Sequence, residues 1–283
     1  MENWSETYRG TVPPWECDVT EHFTIAYYFD RLEEAERNLA DLLGTAELLR
    51  KGGFARHLDV RFARELRAGS SFHIDSAALD VEGGLRLGHR FVDSANGETV
   101  TWIDERWELP PGSLPDARRH AIAARLGGWE GPAAETRPEP ANFAGFIPTA
   151  RGRVRPADLS ADNRFAVAAI VHRLTDSCLQ AAAAIGMDAE YLDKNRRGFS
   201  TFELALRISG ALALDEPFLV ESGIAHLGNS SLRMIHRMTD PRSGREIARL
   251  CQYGVNLDLD ARRPARWPDE IRVRAEKLVI PLG

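Results

Sequence analysis

Apolar residues along this chain run through the same succession of periods twice. Ile25, Tyr28, Phe29, Leu32, Ala35, Leu39 and Leu42 recur at steps of three and four, which predicts one long amphipathic helix. Gly44 ends it, because glycine takes the left-handed cap conformation at least cost. The period then changes to two, through Leu58, Val60 and Phe62, then Phe72 and Ile74, then Leu85, Leu87, His89 and Phe91, then Val100, Trp102 and Trp107. These are successive antiparallel strands, separated by turn residues at Ala68-Gly69, Gly83-Gly84 and Asn96-Gly97. Val167, Ile170, Val171, Leu174, Cys178, Ala181 and Ile185 repeat the helical pattern, and Gly186 closes it. Each helix should run about 20 residues, roughly 30 Å.

The duplication is visible residue by residue. Positions 8–44 match 150–186 at a constant offset of 142, pairing Arg9, Gly10, Val12 and Pro14 with Arg151, Gly152, Val154 and Pro156. A later block holds at an offset of 147, where Leu85, Arg86, His89, Arg90, Asp93 and Gly97 face Leu232, Arg233, His236, Arg237, Asp240 and Gly244. The expected domains are therefore 1–109 and 150–260. Between them lies a proline-punctuated linker, 110–149, with a short helix around 116–126, and after them a tail, 261–283, with a final helix near 268–278. One helix followed by a meander of strands is an α+β unit.

Composition narrows the function classes. A net charge of −6 with arginines scattered among acids argues against nucleic-acid binding. No apolar run approaches the ~20 residues of a membrane span, and MENWSETYRG lacks the basic start and apolar core of a signal peptide. The three cysteines, Cys17, Cys178 and Cys251, form no self-contained disulfide set, so a soluble, cytoplasmic protein is expected. The histidines show no metal spacing, no Walker or Rossmann loop is present, and neither metal nor cofactor is expected.

The segment Trp15-Glu16-Cys17-Asp18-Val19-Thr20-Glu21-His22, followed by Tyr27-Tyr28-Phe29-Asp30 in the helix, resembles the 4-hydroxybenzoyl-CoA thioesterase-like hotdog family. Within that family it looks most like the thioesterases of carnitine and betaine metabolism. Asp18 and His22 match the family motif, whereas Glu21 stands where glycine is usual and Thr24 where asparagine is usual. Arg64-Glu65-Leu66-Arg67-Ala68-Gly69, Ser200-Thr201-Phe202-Glu203 and Leu232-Arg233-Met234-Ile235-His236 resemble family strands. The resemblance implies two tandem hotdog folds, each a long helix wrapped by an antiparallel sheet, paired as an intramolecular pseudo-dimer. It further implies hydrolysis of acyl-CoA, with CoA present only as part of the substrate. The edges of the tandem sheet leave room for a homodimer or higher homo-oligomer.

Thioester hydrolysis needs a group that activates water or attacks the carbonyl, and donors for the developing oxyanion. Asp18 lies in the loop entering the first helix, close to the unbonded amides of its first turn, so Thr24, Ile25, Ala26 and Tyr27 are the expected substrate-binding positions. Aspartate at such a place also serves as a plain helix or turn cap. His22 is expected to order the Asp18 loop. The offset of 142 places Ser160 opposite Asp18 and Arg164 opposite His22, so the second copy has lost the motif, although Asp158 and Asp162 are nearby. An offset of 146 pairs Glu203 with His57. Since hotdog sites form across the pseudo-dimer interface, the catalytic set is Asp18, Glu203 and His22, with Ser160 and His57 in a decayed twin. Glu203 has a second reading, as a strand acid paired with Arg207 or Arg61. Matched His89 and His236 read as polar core groups. Two other functions fit the same residues, non-catalytic acyl-CoA binding and, from the Asp18 and His22 pair, enoyl-CoA hydration.

Overall fold

Strand β1 (Ser5–Thr11) leads through a 3-10 turn at Pro14–Glu16 into helix α1 (Ile25–Leu43) and the short α2 (Ala46–Lys51). Four strands follow, β2 (Ala55–Phe62), β3 (Ser71–Asp80), β4 (Leu85–Asp93) and β5 (Thr99–Glu108), and then α3 (Asp116–Ala123). The second half repeats the order with β6 (Ile147–Arg153), a 3-10 turn at Pro156–Asp158, α4 (Val167–Ala184), α5 (Ala189–Asn195), β7 (Arg197–Ile208), β8 (Pro217–Leu227), β9 (Ser231–Thr239) and β10 (Glu246–Asp258). A two-residue β11 (Arg263–Pro264) and α6 (Asp269–Glu276) complete the chain. This computed structural model describes residues 3–51, 55–161 and 163–283; Asp162 lies outside them.

All strands join one antiparallel sheet in the order β1-β3-β4-β5-β2-β7-β10-β9-β8-β6, with β11 beside β10. The order is a palindrome, as a two-fold axis between β2 and β7 requires. Its register proves the equivalence: Arg61 pairs with Glu203 and His57 with Arg207, and Asp59 faces Ala205, its own counterpart at the 146 offset. Between the helices Asp30 meets His172, again its own counterpart. The structure is thus two tandem hotdog folds sharing a sheet.

Both long helices lie on one face of the sheet. Phe29, Leu32, Ile170, Val171 and Leu174 share a core with Leu58, Val60, Leu204 and Leu206, so neither half closes its apolar interior alone. Gly44 sits in the left-handed region at φ 67°, ending α1, and Arg118 of α3 donates to the Leu43 carbonyl there at 3.2 Å. Arg274 of α6 lies against Gly186 in the same way. Helices α3 and α6 are therefore counterparts, each bringing a cation to the negative end of a long helix.

Two strands were invisible to periodicity. β1 and β6 each bury a single clear position, Thr7 and Thr149, because they are sheet edges with a half-solvated pattern. Those threonines begin matched relays: Thr7 to Ser76 at 2.7 Å and Ser76 to His89 Nδ1 at 2.7 Å, and Thr149 to Ser222 at 2.6 Å and Ser222 to His236 Nδ1 at 2.7 Å. Buried histidines are tolerated when a ring nitrogen is bonded, so both are core polar groups.

Candidate active site

The loop carrying Asp18 is built around that carboxylate. The Thr20 amide and hydroxyl donate to Asp18 Oδ1 at 2.8 and 2.6 Å, and the His22 amide at 3.3 Å. Oδ2 takes part in none of these bonds. Glu21, where the family resemblance calls for glycine, adopts φ 65°, the left-handed region, and its counterpart Asn163 sits at φ 58°. From there its side chain pairs with Arg67 at 2.6 Å and with Arg196 at 3.3 Å.

His22 Nε2 lies 3.0 Å from Glu65 Oε1, and Arg262, from the far end of the chain, donates to His22 Nε2 at 2.6 Å and also bonds Glu65. Burial lowers the His22 pKa; Glu65 and Asp18 oppose the shift and Arg262 adds to it. The neutral ring accepts from Arg262. The triangle ties the Asp18 loop to the exit of β2 and to the second half.

These groups open onto a cavity of about 610 Å³ lined by both halves. Asp18, His22, Thr24, Ile25, Phe62 and Glu65 come from the first half; Thr175, Cys178, Leu179, Ala182, Met187, Phe199, Thr201, Phe202 and Gln252 come from the second. Helix α1 begins with no side-chain cap, and the Thr24 and Tyr27 amides are already bonded to carbonyls of Glu16 and Thr24. That leaves the Ile25 and Ala26 amides, in the first turn, without backbone acceptors among the described residues. Ala26 is fully buried, and Tyr27 turns away to pack on Phe23 and His172, so neither side chain lines the cavity.

Glu203 is elsewhere, which corrects the expected composite site. Leu204 and Leu206 face the helices, so by strand alternation Glu203 faces the opposite side of the sheet. There it accepts Arg137 at 2.7 and 2.6 Å and pairs with Arg61. Burial would raise its pKa, but the Arg137 and Arg61 bonds outweigh it and hold the carboxyl below its usual range. A bulge at Phe202, where Tyr253 pairs with Glu203 and Gly254 with Thr201, resets the alternation. Thr201 consequently faces the cavity, which Phe199 and Phe202 of the same strand also line, and is bonded by Gln252 Nε2 at 2.5 Å. His57 likewise leaves the twin site, lying 2.7 Å from Glu108. Asp158 is a structural acid; burial is outweighed by Arg155 and Arg173, which hold it at about 2.

The twin cavity, about 290 Å³, has Ser160 and Arg164 in its loop and the start of α4 at its wall. Its inner end is charged. Arg56 bonds Glu105 at 2.6 Å and Glu36 at 2.5 Å, with His89 beside Glu105 at 3.6 Å. Burial drives the Glu36 pKa well up, against the pull of Arg56. The equivalents of Glu36, Arg56 and Glu105 in the larger cavity are Cys178, Phe202 and Gln252. A charged cluster has been exchanged for a largely apolar one, and the cavity is correspondingly larger. Glu65, Arg262, Thr175 and Thr201 were not legible as site residues; the offsets of 142, 146 and 147, extended to Glu36, Arg56 and Glu105, are the signals in the sequence that could have found this exchange.

Residues 154–274 match the thioesterase-like superfamily. No curated protein matches the chain by sequence. Among solved structures the chain is similar to a protein from Lactobacillus plantarum put forward as an oleoyl thioesterase, with 14% identity over 90% of this chain and 98% of that one at a TM-score of 0.67. It is similar to the 12:0-ACP thioesterase of Umbellularia californica, with 13% identity over 88% and 92% at 0.65. An acyl-ACP thioesterase from Bacteroides thetaiotaomicron gives 10% identity over 87% and 96% at 0.63. At these identities the likeness establishes the double hotdog fold. Among the described residues, no helix is long and apolar enough to cross a membrane, and no cluster of three or more His, Cys, Asp or Glu could hold a metal.

Proposed function

We propose that this protein hydrolyses acyl thioesters, acyl-CoA being the substrate class, in the larger cavity alone. The observation that carries this reading is the meeting, in one cavity of about 610 Å³, of the Asp18 carboxylate, the open first turn of α1 and an apolar channel. The acyl chain lies along Cys178, Leu179, Ala182, Met187 and Phe199. Its carbonyl oxygen is directed to the Ile25 and Ala26 amides, which are preorganised donors for the oxyanion. Asp18 Oδ2 either takes a proton from the attacking water, after which the C–S bond breaks and the thiol leaves, or attacks the carbonyl carbon itself, expelling the thiolate to leave a mixed anhydride that water hydrolyses, while Oδ1 keeps the loop in shape. His22 is a positioning residue, holding that loop through Glu65 and Arg262. Glu203 has no part in this chemistry.

A protein-borne acyl thioester is the second reading, favoured by the whole-chain likeness to two acyl-ACP thioesterases. Thiol release measured over acyl-CoAs of graded length, with acyl-ACPs in parallel, separates the two carriers. Tight binding of every acyl-CoA without thiol release would leave a binding protein, and loss of enoyl absorbance without thiol release would leave a hydratase.

A further inference from the structure

Glu33 of α1 and Thr175 of α4 occupy equivalent positions at the offset of 142. In the twin cavity the Glu33 carboxylate crosses to the first turn of α4, where Oε1 accepts the Ala168 amide at 3.1 Å. Burial raises the Glu33 pKa, and the bond from Ala168, with Arg56 nearby, opposes the rise. First-turn amides lack intrahelical acceptors and carry the positive end of the helix dipole. The Glu33 oxygen therefore marks where this fold seats an electron-rich oxygen.

The two-fold mate of Ala168 is Ala26, and the residue facing that turn from the other helix is Thr175, which lines the larger cavity together with Thr24 and Ile25. Threonine is two side-chain atoms shorter than glutamate, so its hydroxyl stops short of the amides and leaves room for a ligand oxygen between them. The hydroxyl of Ser177, on the same helix, is spent on the Arg173 carbonyl at 3.1 Å, whereas that of Thr175 has no hydrogen-bond partner among the described residues. We propose that Thr175 is a catalytic residue whose hydroxyl donates to the thioester oxygen opposite the Ile25 and Ala26 amides, and that Glu33 fills the equivalent seat in the twin, leaving one working site per chain. Its rate consequence rests on the thioester-hydrolase reading; its binding consequence does not.

The test pairs kinetics with calorimetric titration, using a ketone analogue of acyl-CoA in which a methylene replaces the thioester sulfur. The parent protein binds one equivalent per chain. Thr175→Glu, which supplies a carboxylate to the empty seat, abolishes that binding without loss of the folded state by thermal melt. Thr175→Val lowers kcat by about 10²-fold with KM within a few-fold, the size expected for one oxyanion donor, and Thr175→Ser restores kcat to within a few-fold of the parent. Two equivalents per chain, no binding by the parent, unchanged binding by folded Thr175→Glu, or parental kcat in Thr175→Val would each overturn the assignment. If the parent binds the analogue but releases no thiol from any substrate, hydrolysis fails as the function, and the Thr175→Glu titration still decides the seat.

Discussion

Glu203 of the second half and Arg61 of the first are register partners across the β2–β7 junction, and their side chains form an ion pair completed by Arg137 of the linker. Glu203→Gln should therefore leave thiol release within a few-fold of the parent. It should cost about 1–3 kcal/mol in denaturant unfolding, because two half-buried guanidinium groups lose their counter-charge. A loss of turnover with unchanged stability would return Glu203 to the site.

Asp18→Asn should separate stability from activity. The amide oxygen can still accept the Thr20 and His22 amides, so the melting temperature should move by only a few degrees. Thiol release should fall by at least about 10²-fold, because the base or nucleophile is gone. Ser160→Ala, in the equivalent loop, should leave turnover within a few-fold. If Ser160→Ala silenced the enzyme and Asp18→Asn did not, the live site would be the other one.

Arg262→Gln should raise the His22 pKa. Arg262 both depresses it directly and competes for Glu65, which favours the protonated ring. Titration of the His22 ring by NMR in parent and variant reads the effect, and an unchanged or lower value would break the proposed triangle.

His236 links stability to pH. Burial pushes its pKa from 6.5 down to about 4, against a smaller upward pull from Gln252. A base depressed on folding favours the neutral form, so its contribution is complete above about 6.5 and is lost as pH falls from there towards about 4. The full shift amounts to about 3 kcal/mol. The unfolding free energy of the parent should decline over that window, and His236→Gln should decline less steeply.

Much of the fold was legible because helix and strand periods, glycine caps and turns are local properties. Gly44 and Gly186 stop the helices where the pattern said they would. β1 and β6 escaped because an edge strand buries too little to show a period. Asp18 and His22, singled out by the resemblance and by their place before α1, and Thr24 and Ile25, at its start, line the cavity, a relation that spans only a few residues, whereas Ala26 and Tyr27, named by the same argument, do not. Glu65, Arg262 and Thr175 reach the same cavity from separate elements, and no local signal links them to it.

What the sequence by itself determined was the duplication, the order of elements in each half, and the loop that sets a carboxylate before a helix. The tertiary structure alone decided which side chains share the cavity. Alternation assigns residues to two faces but not to a function, and the bulge at Phe202 shifts the parity, turning Thr201 inward while Glu203 stays outside. The difference in lining between the two cavities is likewise a matter of long-range packing. Glu36, Arg56 and Glu105 close one with a buried charged cluster, while Cys178, Phe202 and Gln252 leave the other open.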